Sequence, residues 1–203
     1  MFFVTAFAVV AVLSSCSARF TEADLLGVWV APVSEGDMVQ GFRLDKGGVA
    51  YSINMATLVY ESWKCDGDLL ILNGRSLGNG QNIEFADTLH VAKADGANLV
   101  LSGADGKKYR RADAEENWRI VEIVRGEITF AHEVREFRPD GDTASCWLVD
   151  RSGYLQKMYL ESGQPEWRIS AELVVQDAGK SEDGFGASYA KTYQVIDVIS
   201  LGD

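Results

Sequence analysis

The chain consists of short runs of alternating apolar and polar residues, separated by glycine-containing turns. These turn signals recur through the first half: Gly36-Asp37, Lys46-Gly47-Gly48, Asp66-Gly67-Asp68, Gly78-Asn79-Gly80, Asp95-Gly96 and Asp105-Gly106. No helical periodicity lies between them. Strands at this spacing predict an antiparallel meander. A meander without helices to cover its edges usually closes into a barrel.

The same pattern continues in the second half, after a charged stretch from Arg110 to Glu116 that we take as the domain boundary. The predicted strands of the first half are Leu25–Val30, Gly41–Leu44, Val49–Ile53, Leu58–Cys65, Leu69–Leu72, Ile83–Val91 and Leu99–Leu101. Those of the second half are Asn117–Val124, Glu133–Phe137, Cys146–Val149, Tyr154–Tyr159, Trp167–Val175 and Tyr193–Ile199. We therefore expect an all-β protein of two small antiparallel β-barrels, residues 25–111 and 117–203, with no long helix.

The N-terminal 15 residues have the pattern of a signal peptide. Phe2–Leu13 is uncharged and apolar but too short to span a bilayer, and small residues follow it. Leu13-Ser14-Ser15-Cys16 is similar to a bacterial lipobox, which predicts Cys16 as the acylated first residue (diacylglycerol and palmitate) of an anchored lipoprotein. The alternative is an ordinary signal peptide whose cleavage leaves a cysteine nearby. Ser17, rather than Asp, favours the outer membrane of a bacterium.

The segment that follows the predicted anchor is short and polar. Residues 16–24 are predicted to be a tether between the membrane and the first barrel. Within it, Thr21-Glu22-Ala23-Asp24 has the sequence of a capped helical turn.

The charge of the chain is negative and unevenly distributed. The formal net charge is −11. Residues 16–113 carry 10 basic and 13 acidic side chains, whereas residues 114–203 carry 9 and 17. An acidic second half repels phosphate backbones, so nucleic acid is a poor candidate partner.

Neither a metal site nor an active site is indicated by the residues. Cys65 and Cys146 could form one bridge or remain as two buried thiols, and we expect no disulfide. A soft-metal site needs several converging thiolate, thioether or imidazole ligands, and the histidines and methionines show no clustered spacing. No nucleophile, zincin or phosphate-binding motif is present. We therefore expect no catalysis and no cofactor.

Gly27-Val28-Trp29, just after the predicted turn, resembles the Gly-x-Trp signature of the calycin superfamily of lipocalin-like barrels. In that family the Trp closes one end of the barrel and an Arg from the last strand lies over its ring. The resemblance implies that Arg110 or Arg111 plays this part, through a cation–π contact. It covers residues 25–111, which is compact for a barrel of this kind.

Several aromatic and apolar residues of the first half are candidates for a ligand pocket. A pocket for a small hydrophobic ligand could be lined by Trp29, Phe42, Tyr51, Met55, Tyr60, Trp63 and Phe85. Aromatic residues at strand spacing also fill cores, so the alternative is a barrel packed with side chains.

A series of spaced motifs in the second half resembles the C-terminal OB-fold domain of the NlpE-type envelope lipoproteins. The motifs are His132-Glu133-Val134-Arg135, Phe137-Arg138-Pro139-Asp140-Gly141-Asp142, Trp147-Leu148-Val149-Asp150, Gly153-Tyr154-Leu155 and Asp183-Gly184-Phe185-Gly186-Ala187-Ser188-Tyr189. The resemblance implies an outer-membrane lipoprotein that reports envelope or surface-contact stress to a protein partner. Members often carry a copper-linked Cys-x-x-Cys pair, which is absent here. The alternative function is a carrier of a small apolar ligand in the first barrel.

Overall fold

The structure is a computed structural model that describes residues 20–33, 38–78, 81–102, 106–113, 116–163 and 167–202. Cys16, the predicted lipid-attachment site, lies outside the described residues. Within these ranges no helix combines the length and apolar character needed to cross a membrane.

Helix α1 (Glu22–Leu25) is the predicted capped turn. The Asp24 carboxylate accepts hydrogen bonds from the backbone N–H and the hydroxyl of Thr21, at 2.8 and 2.7 Å. These bonds, the backbone one first, lower the pKa of Asp24. The Phe20 N–H donates to the carbonyl of Gly67 at 3.1 Å. The C-terminal part of the predicted tether, from Phe20 to Asp24, is therefore held against the first barrel.

Eight strands of the described residues form the first barrel. They are β1 (Gly27–Pro32), β2 (Val39–Leu44), β3 (Ala50–Ile53), β4 (Leu58–Asp66), β5 (Leu69–Ser76), β6 (Ile83–Ala94), β7 (Asn98–Ser102) and β8 (Lys108–Arg111). Each strand pairs antiparallel with its sequence neighbour except at β3 and β4, and β1 also pairs with β8. The predicted meander is confirmed.

The seam between β3 and β4 is joined by few backbone bonds. An isolated bridge links Val49 to Ser62. The Ser52 hydroxyl donates to the carbonyl of Leu58 at 2.7 Å and accepts from the N–H of Tyr60 at 2.9 Å. The Ser52 side chain therefore satisfies two backbone groups of β4 that have no strand partner at this point. Buried backbone N–H and C=O groups need such partners.

Besides a 3-10 helix (Phe185–Ser188), the second barrel has five strands and one α-helix in the described residues. They are β9 (Ile120–Ala131), β10 (Val134–Pro139), β11 (Cys146–Val149), α2 (Tyr154–Glu161), β12 (Ile169–Asp177) and β13 (Thr192–Leu201). The strand order is β9-β10-β11-β13-β12, and β12 returns to pair with β9, so the barrel is closed. β11 and β13 run parallel, and the other pairs are antiparallel.

The prediction of a strand at Tyr154–Tyr159 was wrong, because this segment belongs to α2. The Asp150 carboxylate accepts from the N–H groups of Gly153 and Gln156, at 2.9 and 3.0 Å, and so caps the helix start. Leu155 and Tyr159, four residues apart, are both buried in the core of the second barrel. This spacing fits a helix face as well as a strand face, and the cap favours the helix.

The two barrels share one continuous sheet, which the sequence did not predict. β3 pairs antiparallel with β9 through Ser52–Val121 and Ile53–Ile120. Next to this ladder, Val59 and Leu77 of the first barrel pack against Val121 and Val174 of the second. The second barrel therefore covers the outer face of β3 to β5, and the seam of the first barrel lies beside this interface.

Candidate functional site

One end of the first barrel is closed by Trp29. Its ring is fully buried, and its indole N–H donates to the carbonyl of Leu25 at 2.7 Å. The Arg111 guanidinium lies over the ring, 4.4 Å from the centroid, and donates to the carbonyls of Leu26 and Gly96 at 2.7 and 2.8 Å. This confirms the predicted cation–π contact and assigns it to Arg111. Its neighbour Arg110 pairs instead with Glu116.

The opposite end of the barrel holds a cavity of about 580 Å³. Its apolar and aromatic lining comes from strands β1, β2, β4 and β8 and from the turn before β4: Pro32, Val33, Phe42, Met55, Leu58, Tyr60 and Tyr109. Lys107 and Lys108 lie at its rim and are exposed. The volume lies in the range of small-molecule sites, roughly 300–1,000 Å³.

Four aromatic rings form a contiguous cluster at this end of the interior. The ring centroids of Phe42 and Tyr109 are 5.0 Å apart, those of Phe42 and Tyr60 are 6.1 Å apart, and those of Tyr60 and Phe85 are 5.7 Å apart. The inclined and edge-on arrangements are those that the ring quadrupoles prefer. Three of these rings, those of Phe42, Tyr60 and Tyr109, line the cavity.

A carboxylate lies within this aromatic cluster. On β6, Phe85, Asp87 and Leu89 alternate with exposed residues and are partly buried, so Asp87 faces the interior. The Tyr60 hydroxyl lies 3.4 Å from Asp87 Oδ2. Burial, and secondly the charge of Asp87, raise the pKa of Tyr60 well above its usual value and raise that of Tyr109 as well. Both phenols therefore stay protonated and can donate hydrogen bonds near the carboxylate.

The predicted pocket residues take several different positions. Phe42, Met55 and Tyr60 line the cavity, and Phe85 belongs to the aromatic cluster. Trp29 closes the far end of the barrel. Trp63 is buried in the core and donates its indole N–H to the carbonyl of Asp45 at 2.9 Å.

Tyr51 does not join the cavity. It alternates with Ala50 and Ser52 on β3, and the buried Ala50 packs in the barrel core, so Tyr51 lies on the outer face. There its ring is 5.9 Å from the Arg43 guanidinium carbon. Burial is the main cause of its raised pKa, followed by the charge of Glu122 from the second barrel.

Asp87 and Tyr109 are among the residues of the site that the sequence reasoning missed. Asp87 could have been found, because it shares the alternation of Phe85, Leu89 and Val91 on a predicted strand. Tyr109 directly precedes the Arg110-Arg111 pair and continues the inward face of the last strand.

The cysteines and histidines form no reactive or metal-binding group in the described part of the chain. Cys65 and Cys146 are free thiols in different barrels, and burial is the main cause of their raised pKa values. No group of three or more His, Cys, Asp or Glu side chains in these ranges could hold a metal ion.

Comparison with known proteins identifies the first barrel. Residues 21–112 match a family model described as lipocalin-like. A crystal structure of a lipocalin-like protein from Bacteroides thetaiotaomicron VPI-5482 is 48% identical in sequence, over 44% of this chain and 97% of that chain, with a TM-score of 0.41. The chain belongs to the lipocalin-like family. No curated protein matches it.

Membership of the lipocalin-like family confirms the resemblance drawn from Gly27-Val28-Trp29. The family match ends at residue 112, at the C-terminal end of the first barrel. In this lipocalin-like protein, β9 to β13 and α2 form a second barrel beyond the matched residues.

Proposed function

We propose that this lipocalin-like protein binds a small, largely apolar ligand at the open end of its first barrel. The supporting observation is the cavity of about 580 Å³, lined by Phe42, Tyr60 and Tyr109 and opposite the end that Trp29 closes. Burial of apolar ligand surface in such a site stabilises a complex by roughly 25 cal/mol per Å² before the costs of association. Lipocalin-like proteins are typically binding proteins, and we propose the same non-catalytic role here.

Binding can be tested with the neutral apolar dye N-phenyl-1-naphthylamine, whose fluorescence rises when it leaves water. We expect saturable binding of one dye per chain. Leu58→Trp places an indole ring in the cavity and should abolish the rise in dye fluorescence. Leu160→Trp makes the same change on an exposed surface of α2 and should leave it intact. Absence of saturable binding, or equal binding by Leu58→Trp and the wild type, would refute the proposed function.

We also propose that the chain is anchored to the outer membrane through Cys16. The support is the apolar run Phe2–Leu13 followed by Leu13-Ser14-Ser15-Cys16. Phe20 is held at the β4–β5 turn, on the closed side of the barrel. Four residue steps from Cys16 to Phe20 span at most about 14 Å. In this arrangement the closed end faces the bilayer and the cavity opens away from it.

The anchor can be tested by membrane partitioning. Cys16→Ala should leave an unprocessed or soluble protein, whereas Cys65→Ala should partition as the wild type does. Unchanged partitioning of Cys16→Ala would contradict the lipobox interpretation.

A second candidate function, favoured by the second barrel, is an NlpE-type role in envelope-stress or surface sensing. We propose that this barrel is an OB fold. Its support is the closed strand order β9-β10-β11-β13-β12, with β11 parallel to β13 and α2 between the third and fourth strands. Such a role needs an envelope protein partner. Crosslinking in intact cells should capture a specific partner through second-barrel positions, and capture of none would refute this role.

A further inference from the structure

The aromatic cluster of the first barrel adjoins a carboxylate, Asp87, which contacts the cavity-lining Tyr60 but does not itself line the cavity. Asp87 is partly buried on the inner face of β6 and accepts a hydrogen bond of 3.4 Å from Tyr60. None of the ion pairs among the described residues includes Asp87. An ionised carboxylate has about four acceptor positions. Most of the acceptor capacity of Asp87 is therefore not used by the described side chains.

The rings beside Asp87 form one aromatic cluster. Phe42, Tyr60, Phe85 and Tyr109 are linked by centroid distances of 5.0–6.1 Å. Faces of aromatic rings attract cations, and more strongly when the site is desolvated. Three or more rings with a carboxylate provide the two kinds of group that recognise an ammonium ion.

The charges around the cavity disfavour an anionic head group inside it. An anion near Asp87 would experience like-charge repulsion in a partly desolvated site. The basic groups that line the cavity, Lys107 and Lys108, are exposed at the rim, where solvent and salt screen their attraction.

We propose that the ligand of this site is an organic cation, with an ammonium group bound by Asp87 and the adjoining aromatic rings and an apolar body in the cavity. This inference rests on the proposed function, because it names the chemical class of ligand for the same site. The Asp87 carboxylate and a hydrogen-bonded ammonium group form a charge-assisted pair, while Phe42 and Tyr109 contact the attached carbon chain.

The test compares three probes with the same eight-carbon chain: octylammonium, octanol and octanoate at pH 7.4. Dissociation constants are measured by displacement of N-phenyl-1-naphthylamine. We expect octylammonium to bind about tenfold more tightly than octanol, and octanoate to bind most weakly. Asp87→Asn should remove the preference for octylammonium while octanol still binds, which also shows that the variant is folded.

The matched control is Glu84→Gln, which removes one negative charge from the exposed face of the same strand. It should keep the preference for octylammonium. If dye and probes all fail to bind, the proposed function is wrong. If octanol or octanoate binds as tightly as octylammonium to the wild type, or if Asp87→Asn keeps the preference, the function stands and the cation assignment is wrong.

Discussion

Replacing Arg75 by methionine is expected to destabilise the protein by about 3 kcal/mol. Arg75 lies on β5 of the first barrel, and its side chain is only 9% exposed. Its guanidinium contacts both carboxylate oxygens of Glu61, at 2.9 and 3.2 Å, and Glu172 Oε1 of the second barrel at 2.8 Å. The pair with Glu172 joins the two barrels next to the apolar contacts of Val59 and Leu77 with the second barrel.

The magnitude follows from what the substitution leaves behind. Removing one partner of a buried ion pair costs about 3–5 kcal/mol, because the other charge stays buried. The Glu172 side chain is 15% exposed and retains Arg125, while the Glu61 side chain is 45% exposed and can turn to water. The cost therefore lies at the lower end of that range. For a folded unit of this size it corresponds to a fall in Tm of roughly 6–12 °C.

The assay is urea denaturation followed by far-UV circular dichroism, with thermal unfolding as a second measurement. Arg125→Met is the matched control, because Arg125 contacts the same Glu172 oxygen at 2.9 Å but its side chain is 67% exposed. An exposed pair contributes less than about 1 kcal/mol. The double variant Arg75→Met with Glu172→Met should recover most of the loss, since no buried charge remains unpaired. Equal effects of Arg75→Met and Arg125→Met would refute the reasoning.

Three further predictions concern the packing and ionisation of single residues. Arg111→Ala should lower the free energy of unfolding by about 2 kcal/mol, because it removes two hydrogen bonds and the cation–π contact. Arg110 is exposed, so Arg110→Ala should lower it by less than about 1 kcal/mol. Urea denaturation of the two variants measures the difference. Gly41→Ala should destabilise the protein by at least about 2 kcal/mol, because a Cβ at this position would lie 1.9 Å from the backbone oxygen of Trp29. The control is Gly96→Ala, which should unfold like the wild type, because no atom lies within 4 Å of a Cβ at Gly96. Burial raises the pKa of Glu172, but its two arginine partners outweigh burial and lower the pKa overall. Its stabilising contribution should be complete above about pH 4.3 and lost as the pH falls through the lowered folded pKa, so Glu172→Gln should flatten the dependence of stability on acid pH.

Local patterns predicted most of the strands, because turn residues and alternation act over a few positions. The first barrel has the predicted meander, and Cys146–Val149 is a strand with the predicted bounds. The wrong prediction at Tyr154–Tyr159 has a local cause. Two buried residues four positions apart fit the periodicity of a helix and that of a strand, and the hydrogen bonds from the helix start to Asp150 are the feature that favours the helix. The pairing of Ser52 with Val121 could not be predicted, because it joins positions far apart in sequence and depends on tertiary packing.

The site was predicted in part. Phe42, Tyr60 and Phe85 were chosen because they are aromatic, and they are neighbours in space. The same criterion also included Tyr51, and the side of the sheet on which Tyr51 lies depends on the register of β3. In β3 the inward residues are small, so hydrophobicity gives no signal for which face is inside. Asp87 was passed over because a charged residue at an inward position contradicts the usual pattern. Such contradictions are expected at functional sites.

The mouth of the cavity is connected to the second barrel through Asn54. Its backbone has a positive φ of 53°, and its side-chain amide donates to the carbonyls of Val39 and Asn117, at 3.0 and 3.3 Å. Its side-chain oxygen accepts from the N–H of Arg119 at 3.0 Å. The next residue, Met55, lines the cavity, so the segment that connects the barrels fixes one wall of the site. The segment that leads into the second barrel thus contacts the residue next to Met55 without lining the cavity itself.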